Sequence, residues 1–141
     1  MRRHIRRMND WTDKAAPSLD DFAVLAQAAF DSLPEPFRGL AAEAVVRIDD
    51  FADQETLDAL GIEDVFELTG LYHGVDLGER SVIGPAPMPP RVFLYRRPIL
   101  DEWAERGDVT LGELVTHVLI HEIGHHFGLS DDDMHRVEDE A

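Results

Sequence analysis

The chain has 141 residues and a mass of 15.9 kDa, one domain's worth of protein, long enough to bury about two-thirds of its unfolded surface. A hydrophobic fraction of 44% and a charged fraction of 30% exclude a wholly disordered, collagenous or membrane-embedded chain. Thirteen basic residues against 29 acidic ones give a net charge of −16, which repels a phosphate backbone and disfavours nucleic acid as a partner.

Cysteine is absent, so no disulfide framework, thiolate metal site or cysteine nucleophile exists, and any metal must sit on nitrogen and oxygen. The longest apolar stretches fall far short of the ~20 residues of a membrane span. The basic start, Met1 to Arg7, runs into Asn9, Asp10 and Asp13 rather than an apolar leader core, so a cytoplasmic protein is expected. Residues 1–14 hold five of the 13 basic residues and two acids, leaving 8 basic against 27 acidic residues, or −19, on the remainder. The expected organisation is a basic, flexible arm over 1–14 and a single domain over 15–141.

Ser18 caps a helix whose Phe22, Leu25, Ala26, Ala29 and Phe30 share one face, ending before Pro34. Ala44 to Ile48 is β-rich and reads as a short strand. Residues 54–60 predict a short helix stopped by Gly61, and Gly70 to Gly74 reads as turn-rich. Gly84, Pro85, Pro87, Pro89 and Pro90 forbid regular structure and lead into the strand Arg91 to Arg96, closed by Pro98. Leu100 to Arg106 predicts one or two helical turns before Gly107. Strands mixed with helices make the domain α+β or α/β.

Thr110-Leu111-Gly112-Glu113 has capping-box spacing, and no proline interrupts Leu111 to Phe127, so a helix about 25 Å long is predicted. Gly128 stops it in the left-handed conformation. The helix is apolar nearly all round and belongs in the interior. It carries His121-Glu122-Ile123-Gly124-His125. Residues four apart stack one turn, about 6 Å, along one face, so two imidazoles can converge on one ion at about 2.1 Å each. Glu122, about 100° round the helix, can act on a nearby water without being a ligand.

Four residues compete for a third ligand position: His117, His126, Asp131 and His135. His117 is two turns, about 12 Å, from His125 and cannot share an ion with it. His126 points away from His125. Asp131 is better placed, because Gly128 can reverse the chain and return position 131 beneath the histidines. The alternative is that Ser130 caps a last helix and Asp131, Asp132 and Asp133 merely favour its positive end.

The string His121 to Asp131, H-E-x-x-H-x-x-G-x-x-D, resembles the extended zincin signature, with Asp131 where many members carry a third histidine. Together with Asp31-Ser32-Leu33-Pro34, Gly70-Leu71-Tyr72-His73-Gly74 and the strand Arg91 to Arg96, it resembles the small bacterial zincin-like metallopeptidases over about residues 19–138. The resemblance implies an α+β minimal zincin: a small mixed sheet, a backing helix and the H-E-x-x-H helix. It further implies zinc at His121, His125 and Asp131, with Glu122 as general base and a peptide or protein as substrate. The metzincin pattern differs, requiring a histidine at the last position and a methionine turn well downstream. Here Met134 follows Asp131 by three residues and is expected in the core.

Zincins bind substrate along an edge strand, and Val92 to Arg96 is the run that fits this task, with Phe93 and Tyr95 on one face and Val92 and Leu94 on the other. An ordinary core strand is the alternative. Tyr72 and His73 are either transition-state donors or packed loop residues. Arg96 and Arg97 either bind a substrate carboxylate or balance the acidic surface. Ten residues follow Asp131, from which a shallow, open site is expected. The function expected is peptide hydrolysis dependent on zinc. The rival is a catalytically weak binding or regulatory module in which the metal braces the helix to its C-terminal turn.

Overall fold

The computed structural model describes residues 12–35, 37–73 and 89–140, with the side chains of Phe37, Leu40, His126, Asp131 and Glu140 excepted. Most of the basic arm and most of the proline-rich loop thus lie outside the described residues. Ser18 and Asp21 form a reciprocal capping box, with Asp21 N–H donating to Ser18 Oγ at 3.1 Å and Ser18 N–H to Asp21 Oδ2 at 2.8 Å. They satisfy amides that the first turn cannot. Helix α1 then runs Leu19–Asp31 and buries Phe22, Ala26 and Ala29, the expected stripe. A single-turn helix, α2 (Phe37–Ala41), leads into strand β1 (Val45–Asp49).

Helix α3 (Gln54–Leu60) is capped by Asp53 and ended by Gly61 at φ +70°, as its sequence predicts. A 3-10 turn at Val65–Glu67 precedes strand β2 (Gly70–His73). Here the structure corrects the reading of a turn. Glycine at one end hides strand character that comes from pairing with β3 (Arg91–Tyr95), antiparallel, with Gly70 opposite Leu94 and Tyr72 opposite Val92. Strand β1 runs parallel to β3 on its other side, and the order is β1-β3-β2. The central strand is therefore β3, and among the described strands the edge beside the principal helix is β2. Local pattern identifies a strand; only long-range pairing assigns its place in the sheet.

Helix α4 (Arg96–Arg106) follows β3 without a linker and begins four residues earlier than expected. Pro98 lies in its first turn, where a missing N–H breaks no helical bond. Helices α5 (Leu111–His126) and α6 (Asp131–Glu140) complete the chain. No helix among the described residues is long and apolar enough to cross a membrane.

Alternation along β3 divides the core. Val92 and Leu94 face a main core with Phe22, Leu114, Leu119, Ile120 and Ile123 from α1 and α5. Phe93 and Tyr95 face the other way and join Leu57, Leu68 and Leu71 in a smaller cluster beneath α3 and the 3-10 turn. Arg96 binds across these layers, its Nε donating to Asp50 Oδ1 at 2.6 Å and its Nη1 to the Pro17 carbonyl at 2.9 Å. Arg97 lies over the Phe51 ring, 5.5 Å from its centroid.

Candidate metal centre

Helix α5 is fixed at both ends before its middle can present chemistry. The loop ahead of it is held by Trp103, whose indole N–H donates to the Val109 carbonyl at 2.9 Å. Thr110 and Glu113 then form the expected capping box, at 3.1 and 3.0 Å. At the far end, Gly128 N–H donates to the His125 carbonyl and Leu129 N–H to the Gly124 carbonyl. With Gly128 at φ +72°, this is a Schellman stop, whose left-handed residue glycine adopts without steric cost. Between these ends Leu114, Val115, Val118, Leu119, Ile120 and Ile123 are buried, so the helix is anchored from two sides.

The turn returns the chain against α5. Ser130 N-caps α6, its Oγ accepting from Asp133 N–H at 3.1 Å. Asp131 is the first residue of that helix, and its side chain lies outside the described residues. The capping role weighed for Ser130 is thus present. Met134 is fully buried, as expected, and sits against Gly124. A β-carbon at Gly124 would meet Met134 Sδ at 2.5 Å, which is why the smallest residue stands in the middle of the motif.

His121 and His125 share one face of α5, with ring centroids 5.9 Å apart and planes at 84°. His121 is half-buried and His125 exposed. Glu122 is half-buried against β2. Gly70 makes that approach possible, since a β-carbon there would lie 2.7 Å from Val118 Cγ1 and 3.2 Å from Glu122 Cγ. Burial pushes the Glu122 carboxyl up, opposed by the nearby His125 and by a hydrogen bond from the Tyr72 backbone N–H. The register explains this bond. Tyr95 N–H donates to the Thr69 carbonyl, so bonded pairs fall at alternate positions and Tyr72 directs its amide away from β3. Tyr72 packs its ring edge-on to Phe127 at 6.5 Å, while His73 is exposed at the strand end.

Among the described residues, one group of three donor side chains converges closely enough for a metal: His117, His121 and Glu138, with ligand atoms all within 4.8 Å of one another. His117 stays separate from His125, as helical spacing dictates, but pairs with His121 instead. Glu138 was not among the candidates read from sequence. The available signal was its place four residues after Met134, on the face of α6 that packs on α5. On the opposite face of the sheet a groove of about 720 Å³ is lined by Asp49, Asp50, Asp53, Phe93 and Tyr95. Tyr95 is pushed up to about 12 by burial and by the carboxylates of Asp49, Asp53 and Glu122.

The family model for zincin-like metallopeptidases matches residues 41–141. The chain belongs to that family. The match takes in β1, the edge strand β2, α5 with its histidines, and α6. No curated protein gives a significant match. The mixed sheet, three-stranded among the described residues, with its packed helices is accordingly a minimal zincin-like domain. Membership implies a metal, typically zinc. The described donors fit such an ion: imidazoles one turn apart on α5, and from α6 the Glu138 carboxylate beside His117 and His121.

Proposed function

We propose that this zincin-like protein is a zinc-dependent peptidase, with zinc held by His121, His125 and Asp131 and Glu122 as general base. The observation that carries the reading is Glu122 itself, adjacent to the two-histidine face, half-buried, and held beside β2 by the Tyr72 N–H. When bound, zinc supplies a Lewis acid that polarises a scissile carbonyl and makes water a stronger nucleophile at neutral pH. Glu122 accepts the proton of the attacking water and delivers it to the leaving amine. The burial that raises its affinity for a proton suits it to both tasks. Sequence suggested β3 for pairing with an extended peptide; in this reading the task falls to β2, which is the outer strand among those described.

The test is a peptide-library cleavage screen of zinc-loaded protein, with metal content measured by elemental analysis. The wild type is expected to cleave. Glu122→Gln is expected to retain zinc and lose about 10²–10⁴-fold in turnover, the usual contribution of a general base. Turnover surviving that substitution removes Glu122 from its role, and a zinc-loaded wild type that cleaves no peptide leaves a binding module.

A further inference from the structure

Where α6 lies against α5, three donors converge that are not the set assigned above to the peptidase metal. His117 and His121 are one turn apart on α5, with ring centroids 4.1 Å from each other. From α6, Glu138 brings Oε1 to 2.5 Å from His117 Nδ1 and 3.6 Å from His121 Nε2. Zinc bound at about 2.1 Å by tetrahedral ligands sets donor atoms about 3.4 Å apart, so small rotamer shifts suffice to seat an ion among these three. Glu138 Oε1 is buried and accepts no hydrogen bond with acceptable geometry, although two ring nitrogens face it. A buried carboxylate oxygen in that state calls for a cation. The side chains are only 33%, 26% and 19% exposed, in the order His117, His121, Glu138, which limits competition from water while leaving a path from solvent.

We propose that His117, His121 and Glu138 form a second divalent-cation site, selective for zinc-like ions that accept imidazole and carboxylate together. Its occupation excludes the peptidase ion, a consequence that rests on the proposed ligand set. In this proposal both ions take His121 through Nε2, the nitrogen that faces Glu138, whose one lone pair serves one ion at a time. His117 and His125, about 12 Å apart along the helix, cannot both reach the same ion. His121 is therefore a switch between two donor sets, and an ion drawn toward α6 leaves His125 without its partner.

The experiment is calorimetric titration of metal-free, full-length protein with zinc alone. A variant carrying His125→Ala and Asp131→Asn, which lacks the peptidase donors, is expected to bind one equivalent. Adding His117→Gln or Glu138→Gln to it is expected to weaken binding at least tenfold. In the same variant, zinc is expected to shift the imidazole ¹⁵N resonances of His117. If Asp131→Asn disturbs the turn, as judged by circular dichroism, His125→Ala alone provides the same comparison. The proposal is overturned if this protein binds no zinc, or binds it unaffected by loss of His117 and Glu138. The wild type is expected to take one equivalent in total, and two simultaneous equivalents overturn the exclusion. The reciprocal protein, with His117→Gln and Glu138→Gln, tests the peptidase set separately: its failure to bind zinc sinks that set while the first variant still decides this one.

Discussion

Gly124 shows how one residue couples the motif to the fold. Its hydrogen leaves room for Met134, whose Sδ and Cγ lie 2.5 and 2.8 Å from where a β-carbon would stand. Gly124→Ala gains about 1 kcal/mol of helix propensity and incurs about 1–3 kcal/mol of overpacking, so a net loss of stability is expected in urea denaturation. In a Met134→Ala background the clash is gone, and the same substitution is expected to become neutral or stabilising. A cost that persists there means that Met134 is not the obstacle. Gly70 plays the same part on the other side of α5, where its bare backbone lets β2 approach Glu122 closely enough for the Tyr72 N–H to reach the carboxylate. His121, Glu122 and His125 were legible from their spacing, because helical periodicity converts four residues into one turn. Glu138 was not, since its meeting with His117 and His121 depends on how α6 folds back, which no local pattern records.

At the scale of elements, capping decides where the helices begin. Asp53 is held below the usual carboxylate range by hydrogen bonds with Thr56, side chain first, and Glu113 by those with Thr110, backbone first. A carboxyl depressed in the folded state stabilises it above the unfolded value, and that contribution is lost as pH falls through the folded value. With reference values of 3.8 and 4.5, the loss begins near pH 4.5. Glu113→Gln is therefore expected to melt below wild type at pH 6 and to converge with it on acidification below pH 4.5. A gap that stays constant with pH refutes a role for the charge. The strands teach the opposite lesson. The alternation of Val92 and Leu94 against Phe93 and Tyr95 was readable, and the structure places the pairs in separate cores. The rank of β3 at the centre, and of β2 at the edge, was decided by pairing.

Across the whole molecule, the net charge of −16 creates a field that draws cations and repels anions. The acidic groove beneath the sheet, with Asp49, Asp50 and Asp53 on its wall, adds a local concentration of the same sign. For the proposed peptidase, lysine- or arginine-flanked peptides are expected to show the higher kcat/KM at low salt. That advantage is expected to fall as ionic strength rises from about 0.01 to 1 M, where the Debye length shrinks from about 30 to 3 Å. A neutral peptide serves as the reference. Equal salt dependence for both removes steering from the account.

Sequence alone determined what depends on near neighbours: the capped ends of α1 and α5, the stop at Gly128, the two imidazoles one turn apart with a carboxylate beside them, and the absence of thiolate ligands. These follow from backbone geometry and side-chain chemistry over a few residues. Tertiary structure decided what depends on distant segments meeting. It set Gly70–His73 beside β3 and Glu122, bound Arg96 to Asp50 and the Pro17 carbonyl, and set Glu138 against His117 and His121. Such contacts arise from burying the apolar faces of α1, α5 and α6 together, a constraint on the whole chain that no single stretch of it contains.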